Sequence, residues 1–219
     1  MVFKLNASGQ ETVVYSFTGG DDGGNPVSGV TLDTNGNIYG TTKLGGRAKD
    51  GVVYKLNASG QETVLHTFTG GADGGNPIAG LLRDSTGDLY GTTYAGGAGT
   101  GYGYGVVYKL DTAGQESVLY SFTGAADGGR PVAGVVRDPN GNLYGTTSGG
   151  GSSNCPNFGC GVVYRLNSTG QQTVLYSFSG LDGGVPYAGV ILDSAGSLYG
   201  TTADGGKGNV GVVFRLDPP

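Results

Sequence analysis

A β-propeller built from repeated antiparallel blades is the fold this sequence predicts, and three observations predict it. The tetrapeptide Tyr-Gly-Thr-Thr occurs at 39–42, 90–93, 144–147 and 199–202, spaced by 51, 54 and 55 residues. A period of that size marks propeller blades or solenoid turns rather than a fold built around one active constellation. Each period also holds four short runs of β-branched and aromatic residues bounded by Gly, Asn, Asp or Pro. None has the three-to-four spacing of an amphipathic helix. Finally, most of the 48 glycines recur at matching repeat positions, so they read as turns that need positive φ rather than as disorder.

In the third unit the four runs are 131–138, 142–147, 161–166 and 173–178, here strands a, b, c and d. The a-to-b connections, 33–36, 84–87, 138–141 and 193–196, each start with Asp and end with Gly. An Asp that accepts backbone N–H bonds two residues on, followed by Gly at positive φ, makes a tight hairpin. The c-to-d connections, such as 57–60 and 111–114, repeat that chemistry. Four strands joined this way form a meander, and meanders stacked about an axis bury both faces of each sheet.

The chain opens with a c strand (2–5) and a d strand (12–17), passes through three complete units, and ends with a, b and c. A single domain over 1–219 is expected, with repeat units near 1–26, 27–76, 77–130, 131–185 and 186–219. The expected architecture is all-β: a four-bladed β-propeller of four-stranded antiparallel blades. It is closed by pairing the d strand at 12–17 with the terminal c strand at 212–216. That leaves strands 2–5 and 212–216 competing for one place. Small pairs at the middle of strand a, Ser28-Gly29, Ala79-Gly80, Ala133-Gly134 and Ala188-Gly189, give the clearance that four inner strands need. The rival readings are a section of a longer array, or two chains sharing an eight-bladed ring.

Twelve basic against seventeen acidic residues give a net charge of −5, without a basic stripe, which argues against nucleic acid as a partner. No run approaches eighteen apolar residues, so membrane insertion is not expected. The N-terminus enters a strand pattern without a signal-peptide stretch; the chain reads as a mature or excised part of something longer. Cys155 and Cys160 share one inter-strand loop, and His66 is the single histidine. A zinc site would need more ligands, so a local disulfide and an oxidising compartment are expected.

The Tyr-Gly-Thr-Thr, Gly-Val-Val-Tyr-Lys-Leu and Phe-Thr-Gly-Gly-x-Asp-Gly-Gly-x-Pro elements resemble the GloVer, or HAF, tandem repeat of bacterial extracellular proteins, over essentially the whole chain. The resemblance implies a secreted or cell-surface location and supplies no catalytic residues. The Asp-x-x-Gly-Asn-Leu-Tyr hairpin is also similar to NHL-type propeller blades, which implies that a is the innermost strand and d the outermost.

Strand alternation puts the b–c and d–a loops on one face, and these carry the length variation; a ligand is expected there. Asp22, Asp73, Asp127 and Asp182 each precede Gly-Gly-x-Pro at the start of strand a. They are either Asx-type turns or a ring of carboxylates at the channel mouth able to hold Ca²⁺. Tyr94, Tyr102, Tyr104 and Phe158 are candidates for stacking on a carbohydrate or holding a surface protein. His66 stands where other units have Tyr15, Tyr120 and Tyr176 and reads as a drifted outer-strand position. There is no Gly-x-Ser-x-Gly elbow, histidine pair or phosphate loop, and nothing breaks the fourfold pattern. The expectation is a monomeric, non-catalytic binding module, with no catalytic residue and no cofactor beyond that Ca²⁺. The alternatives are a purely structural surface repeat, a propeller hydrolase or lyase, and, for assembly, a strand-shared dimer.

Overall fold

The computed structural model describes residues 1–99, 101–152, 155 and 158–217, and all its regular elements are β-strands. A hairpin, β1 (Val2–Leu5) and β2 (Glu11–Tyr15), is followed by three four-stranded meanders. The first is β3 (Thr31–Leu32), β4 (Ile38–Thr42), β5 (Val52–Leu56) and β6 (Glu62–Thr67). The second is β7 (Leu82–Arg83), β8 (Leu89–Thr92), β9 (Val106–Leu110) and β10 (Glu116–Ser121). The third is β11 (Val136–Arg137), β12 (Leu143–Thr147), β13 (Val162–Leu166) and β14 (Gln172–Ser177). A three-stranded sheet, β15 (Ile191–Leu192), β16 (Leu198–Thr201) and β17 (Val213–Leu216), ends the chain. Within each sheet all pairs are antiparallel and in a–b–c–d order.

The hairpin chemistry is visible atom by atom in the first blade. Asp33 Oδ1 accepts the Asn35 and Asn37 backbone N–H groups, both at 2.9 Å, and Gly36 follows at φ 78°. Its Oδ2 accepts the Asn37 side-chain amide at 2.7 Å and the Tyr39 hydroxyl at 3.1 Å. These donors, the Asn37 amide foremost, lower the Asp33 pKa to about 2 because they favour the charged form. The Tyr of each Tyr-Gly-Thr-Thr is thereby tied to the turn that precedes it, as Tyr90, Tyr144 and Tyr199 are to Asp84, Asp138 and Asp193.

Blades lock to one another through two repeated contacts, built on a third within each blade. The strand-c tyrosines Tyr54, Tyr108 and Tyr164 are fully buried and lie across from Gly40, Gly91 and Gly145 of strand b. Each receives an edge-on aromatic ring from the preceding unit: Phe17 on Tyr54 at 4.9 Å, Phe68 on Tyr108 at 5.1 Å, Phe122 on Tyr164 at 5.2 Å. Such edge-to-face pairs contribute about 0.5–1.5 kcal/mol beyond burial. In the first three motifs the first Thr reaches the next blade, Thr41 donating to Ala79 O at 3.0 Å, Thr92 to Ala133 O at 3.0 Å and Thr146 to Ala188 O at 2.9 Å.

Two expectations need correction. Strand a is a two-residue strand in every unit, not an eight-residue one; in three of the units a carbonyl just before it accepts the threonine hydroxyl of the preceding blade. The small residues still serve close approach: a Cβ on Gly134 would lie 2.7 Å from Gly80 O. Nor do the described residues form a closed sheet. The d strand β2 pairs with β1, not with 212–216, and β17 stays on β16. Locality decides this, since Asn6 Oδ1 accepts the Ser8 and Gln10 N–H groups and turns β1 directly into β2, closing a far shorter loop than the whole chain.

His66 is indeed on outer strand β6, edge-on to Phe68 at 4.7 Å, with Nε2 3.4 Å from Asp73 Oδ2 but without hydrogen-bond geometry. Burial lowers its pKa and outweighs the nearby Asp73. The native state therefore holds it neutral, so its contribution is complete above the ordinary value of about 6.5 and is lost as pH falls below it. His66→Tyr should restore the phenol–carboxylate bond that Tyr15 and Tyr120 make to Asp22 and Asp127. The expected gain is about 1 kcal/mol. Thermal melts at about pH 7.5 and about pH 5 should show a smaller acid-induced drop in the variant; an unchanged drop would exclude His66 as its source.

Candidate functional site

A cavity of about 790 Å³ opens on the face formed by the b–c and d–a loops, between the third meander and the C-terminal sheet. Its wall includes Tyr94, Arg130, Phe158, Tyr187, Asp204 and Asn209. The frame beneath it is repeated backbone. Arg130 N–H donates to Tyr104 O at 2.7 Å, as Asn76 does to Asp50 O and Val185 to Cys160 O. The Arg130 carbonyl accepts from Ser148 N at 3.2 Å and from Ser148 Oγ at 2.8 Å. Arg130 has φ 57°, Asn25, Asn76 and Val185 lie within a few degrees of it, and a proline follows each. The backbone is the same four times, and the side chain is not.

That side chain is the asymmetric element. The half-buried Arg130 guanidinium lies 3.7 Å from the centre of the Phe158 ring and 5.8 Å from that of Tyr94. Among the described residues it has no carboxylate partner. Aromatic faces stabilise a cation there without spending its five N–H donors. Asp204 supplies the opposite charge on the exposed wall; its backbone bridges Gly184, while its carboxylate has no bond partner among the described residues. Ser179 is already committed, donating to Asp182 at 2.9 Å. Asn209 Oδ1 accepts from Gly205 N at 2.8 Å and holds the last loop.

Cys155 and Cys160 form a disulfide with Cα atoms 5.2 Å apart, pinning the loop that carries Phe158. Of the aromatic candidates, Tyr94 and Phe158 meet at this cavity, Tyr104 packs over Gly124 and Gly129, and Tyr102 stands 85% exposed away from it. The carboxylate ring does not assemble. Asp22 accepts from Thr18 N at 2.8 Å, Thr18 Oγ1 at 2.6 Å and Tyr15 OH at 3.2 Å. Asp73, Asp127 and Asp182 repeat this with Thr69, Thr123 and Ser179. Each carboxylate is turned outward to its own d strand. Among the described residues no three acidic, histidine or cysteine side chains gather closely enough to hold a metal.

Sequence reasoning missed Arg130 and Asp204, although a signal was present. Arg130 replaces Asn25, Asn76 and Val185, and Asp204 replaces Leu44, Ala95 and Gly149, at matching positions. Both are charged departures inside otherwise repeated segments.

Comparison with known structures places the fold among propellers. The chain is similar to a gluconolactonase from Xanthomonas campestris, at 16% identity and TM-score 0.55, over 86% of this chain and 58% of that one. It is similar to a luciferin-regenerating enzyme at 16% identity and TM-score 0.52, over 87% and 60%. The extracellular domain of a two-component system from B. thetaiotaomicron aligns at 15% identity and TM-score 0.55, over 88% and 22%. The chain thus spans less than two thirds of the length of each. No curated protein sequence matches it. Because propellers of this fold include enzymes, the reading of the chain as a non-catalytic binding module, with no enzymatic activity, is withdrawn. Its premise, unbroken fourfold uniformity, also fails at Arg130 and Asp204. Residues 1–214 match the Gloeobacter/Verrucomicrobia repeat, and the chain belongs to that family.

Proposed function

We propose that the chain is a propeller hydrolase that opens small, oxygen-rich esters or lactones in the cavity between Arg130 and Asp204. The observation that carries this reading is an unpaired guanidinium held over Phe158 in the same cleft as an uncommitted carboxylate. A cavity of about 790 Å³ suits a sugar-sized molecule, and Tyr94, Phe158 and Tyr187 offer faces for its ring. In the proposed step Asp204 takes a proton from water as the water oxygen adds to the carbonyl carbon. Arg130 stabilises the negative charge that forms on the carbonyl oxygen. The ring C–O bond then breaks, and the proton passes from Asp204 to the leaving oxygen. The named activity of the gluconolactonase supports the choice of substrate class. The disulfide and the likeness to an extracellular domain support an extracellular setting.

The test is a panel of aldonolactones and simple aryl esters followed by proton release in weakly buffered indicator. Saturable turnover of at least one lactone above the buffer rate, lost in Asp204→Asn, is the expected result. Turnover of none, or turnover unaffected by Asp204→Asn, would overturn the assignment.

A further inference from the structure

We propose that a second copy of this chain completes the fold, the C-terminal sheet of each copy docking on the N-terminal hairpin of the other to close one shared ring. The evidence is continuity with the junctions inside the chain. Val53, Val107 and Val163 face the next blade and are wholly buried, whereas their counterpart Val213 is 81% exposed. Thr41, Thr92 and Thr146 donate to the next blade's carbonyl, whereas Thr201 is exposed. Leu82 and Val136 pack against the following blade, whereas Ile191 is 69% exposed. One end therefore presents the donor half of a blade junction.

The other end presents the acceptor half. Leu81, Val135 and Val190 lie buried against the preceding blade, but the equivalent Val30 is 43% exposed and Leu32 beside it 63%. The β1–β2 hairpin covers only the outer half of this face, with Val2 packed on Val52, Tyr54 and Leu56. The missing inner half is a and b strands, which β15 and β16 would supply. The strands also match in kind: β17 is Val-Phe-Arg-Leu and β1 is Val-Phe-Lys-Leu, so β17 can replace β1 beside β2 with one basic residue exchanged for another. A two-fold ring would then hold three whole blades from each copy and two composite ones, with both exposed junction faces covered.

In the three complete blades the matching c–d positions are Lys55 with Thr63, Lys109 with Ser117 and Arg165 with Thr173. In the composite blade Arg215 would face Thr12, where Lys4 now stands. The double variant Thr12→Cys with Arg215→Cys, oxidised and run without reductant, is expected to give a covalent dimer. Light scattering of the unmodified chain is expected to give about twice the 21.9 kDa chain mass. Val213→Asp is expected to return the mass to one chain with an unchanged circular dichroism spectrum, since that side chain supports nothing within its own copy. A covalent monomer would mean that the ring closes within one chain and would overturn the proposal. So would a single-chain mass at all concentrations, or a dimer indifferent to Val213→Asp.

Discussion

Arg130→Asn should lower kcat/KM for the lactone substrate by about a hundredfold or more while leaving the protein folded. The magnitude is that of losing one preorganised charge donor to a developing oxyanion, about 3 kcal/mol of transition-state stabilisation. Asn is the informative replacement because Asn25 and Asn76 hold the same left-handed conformation before proline in two other units. The backbone bonds to Tyr104 and Ser148 need no arginine side chain. Arg130→Lys keeps the charge but loses the flat guanidinium against Phe158, so it should recover only part of the rate. Equal activity in wild type and Arg130→Asn would remove Arg130 from the site.

The second large effect is on stability. Gly145→Ala places a Cβ 2.5 Å from the Tyr164 hydroxyl and 2.8 Å from its ring, and Tyr164 is fully buried with no room to swing. Overpacking of this kind costs about 1–3 kcal/mol. For a chain of this length each kcal/mol lowers Tm by about 2–4 °C. Tyr164→Phe alone should be nearly neutral or slightly stabilising, because the hydroxyl is buried without a hydrogen-bond partner among the described residues. Phe214 already occupies the matching place opposite Gly200. Combining the two substitutions should cost less than their sum, since the closest clash disappears. Differential scanning calorimetry of the four proteins checks this; strict additivity would mean that Gly145 and Tyr164 do not press on each other.

These effects locate what was legible in the sequence. The meanders, their strand order and the Asp-led turns were readable because each is a local pattern of two to eight residues, decided by backbone chemistry near its own place. Tyr39 and Tyr90, mid-strand in the repeated tetrapeptide, fall in the inter-blade core. Closure was not readable, because it sets a short hairpin through Asn6 against a pairing across the whole chain, and counting strands does not weigh that difference. The site was half readable. Tyr94 and Phe158 stood out as aromatics in variable loops, but Arg130 and Asp204 stood in otherwise repeated segments and were passed over. Asp22 and its counterparts drew attention by repetition, and repetition there reflected a shared turn.

The residue before each strand-a proline has a wider consequence. At positions 76, 130 and 185 both backbone polar groups serve the frame, and at 25 the carbonyl does, so the side chain is largely released from folding, with Asn76 adding one amide bond to Lys43 O. Each added repeat therefore brings one more position at the rim whose chemistry can change by a single codon while the scaffold stays the same. An array of such units can acquire a new specificity by substitution at a few addresses, without loop insertion or redesign of the core. The left-handed conformation sets the toll on that freedom, about 1 kcal/mol for a residue such as Arg or Val, and the chain tolerates it at Arg130 and Val185.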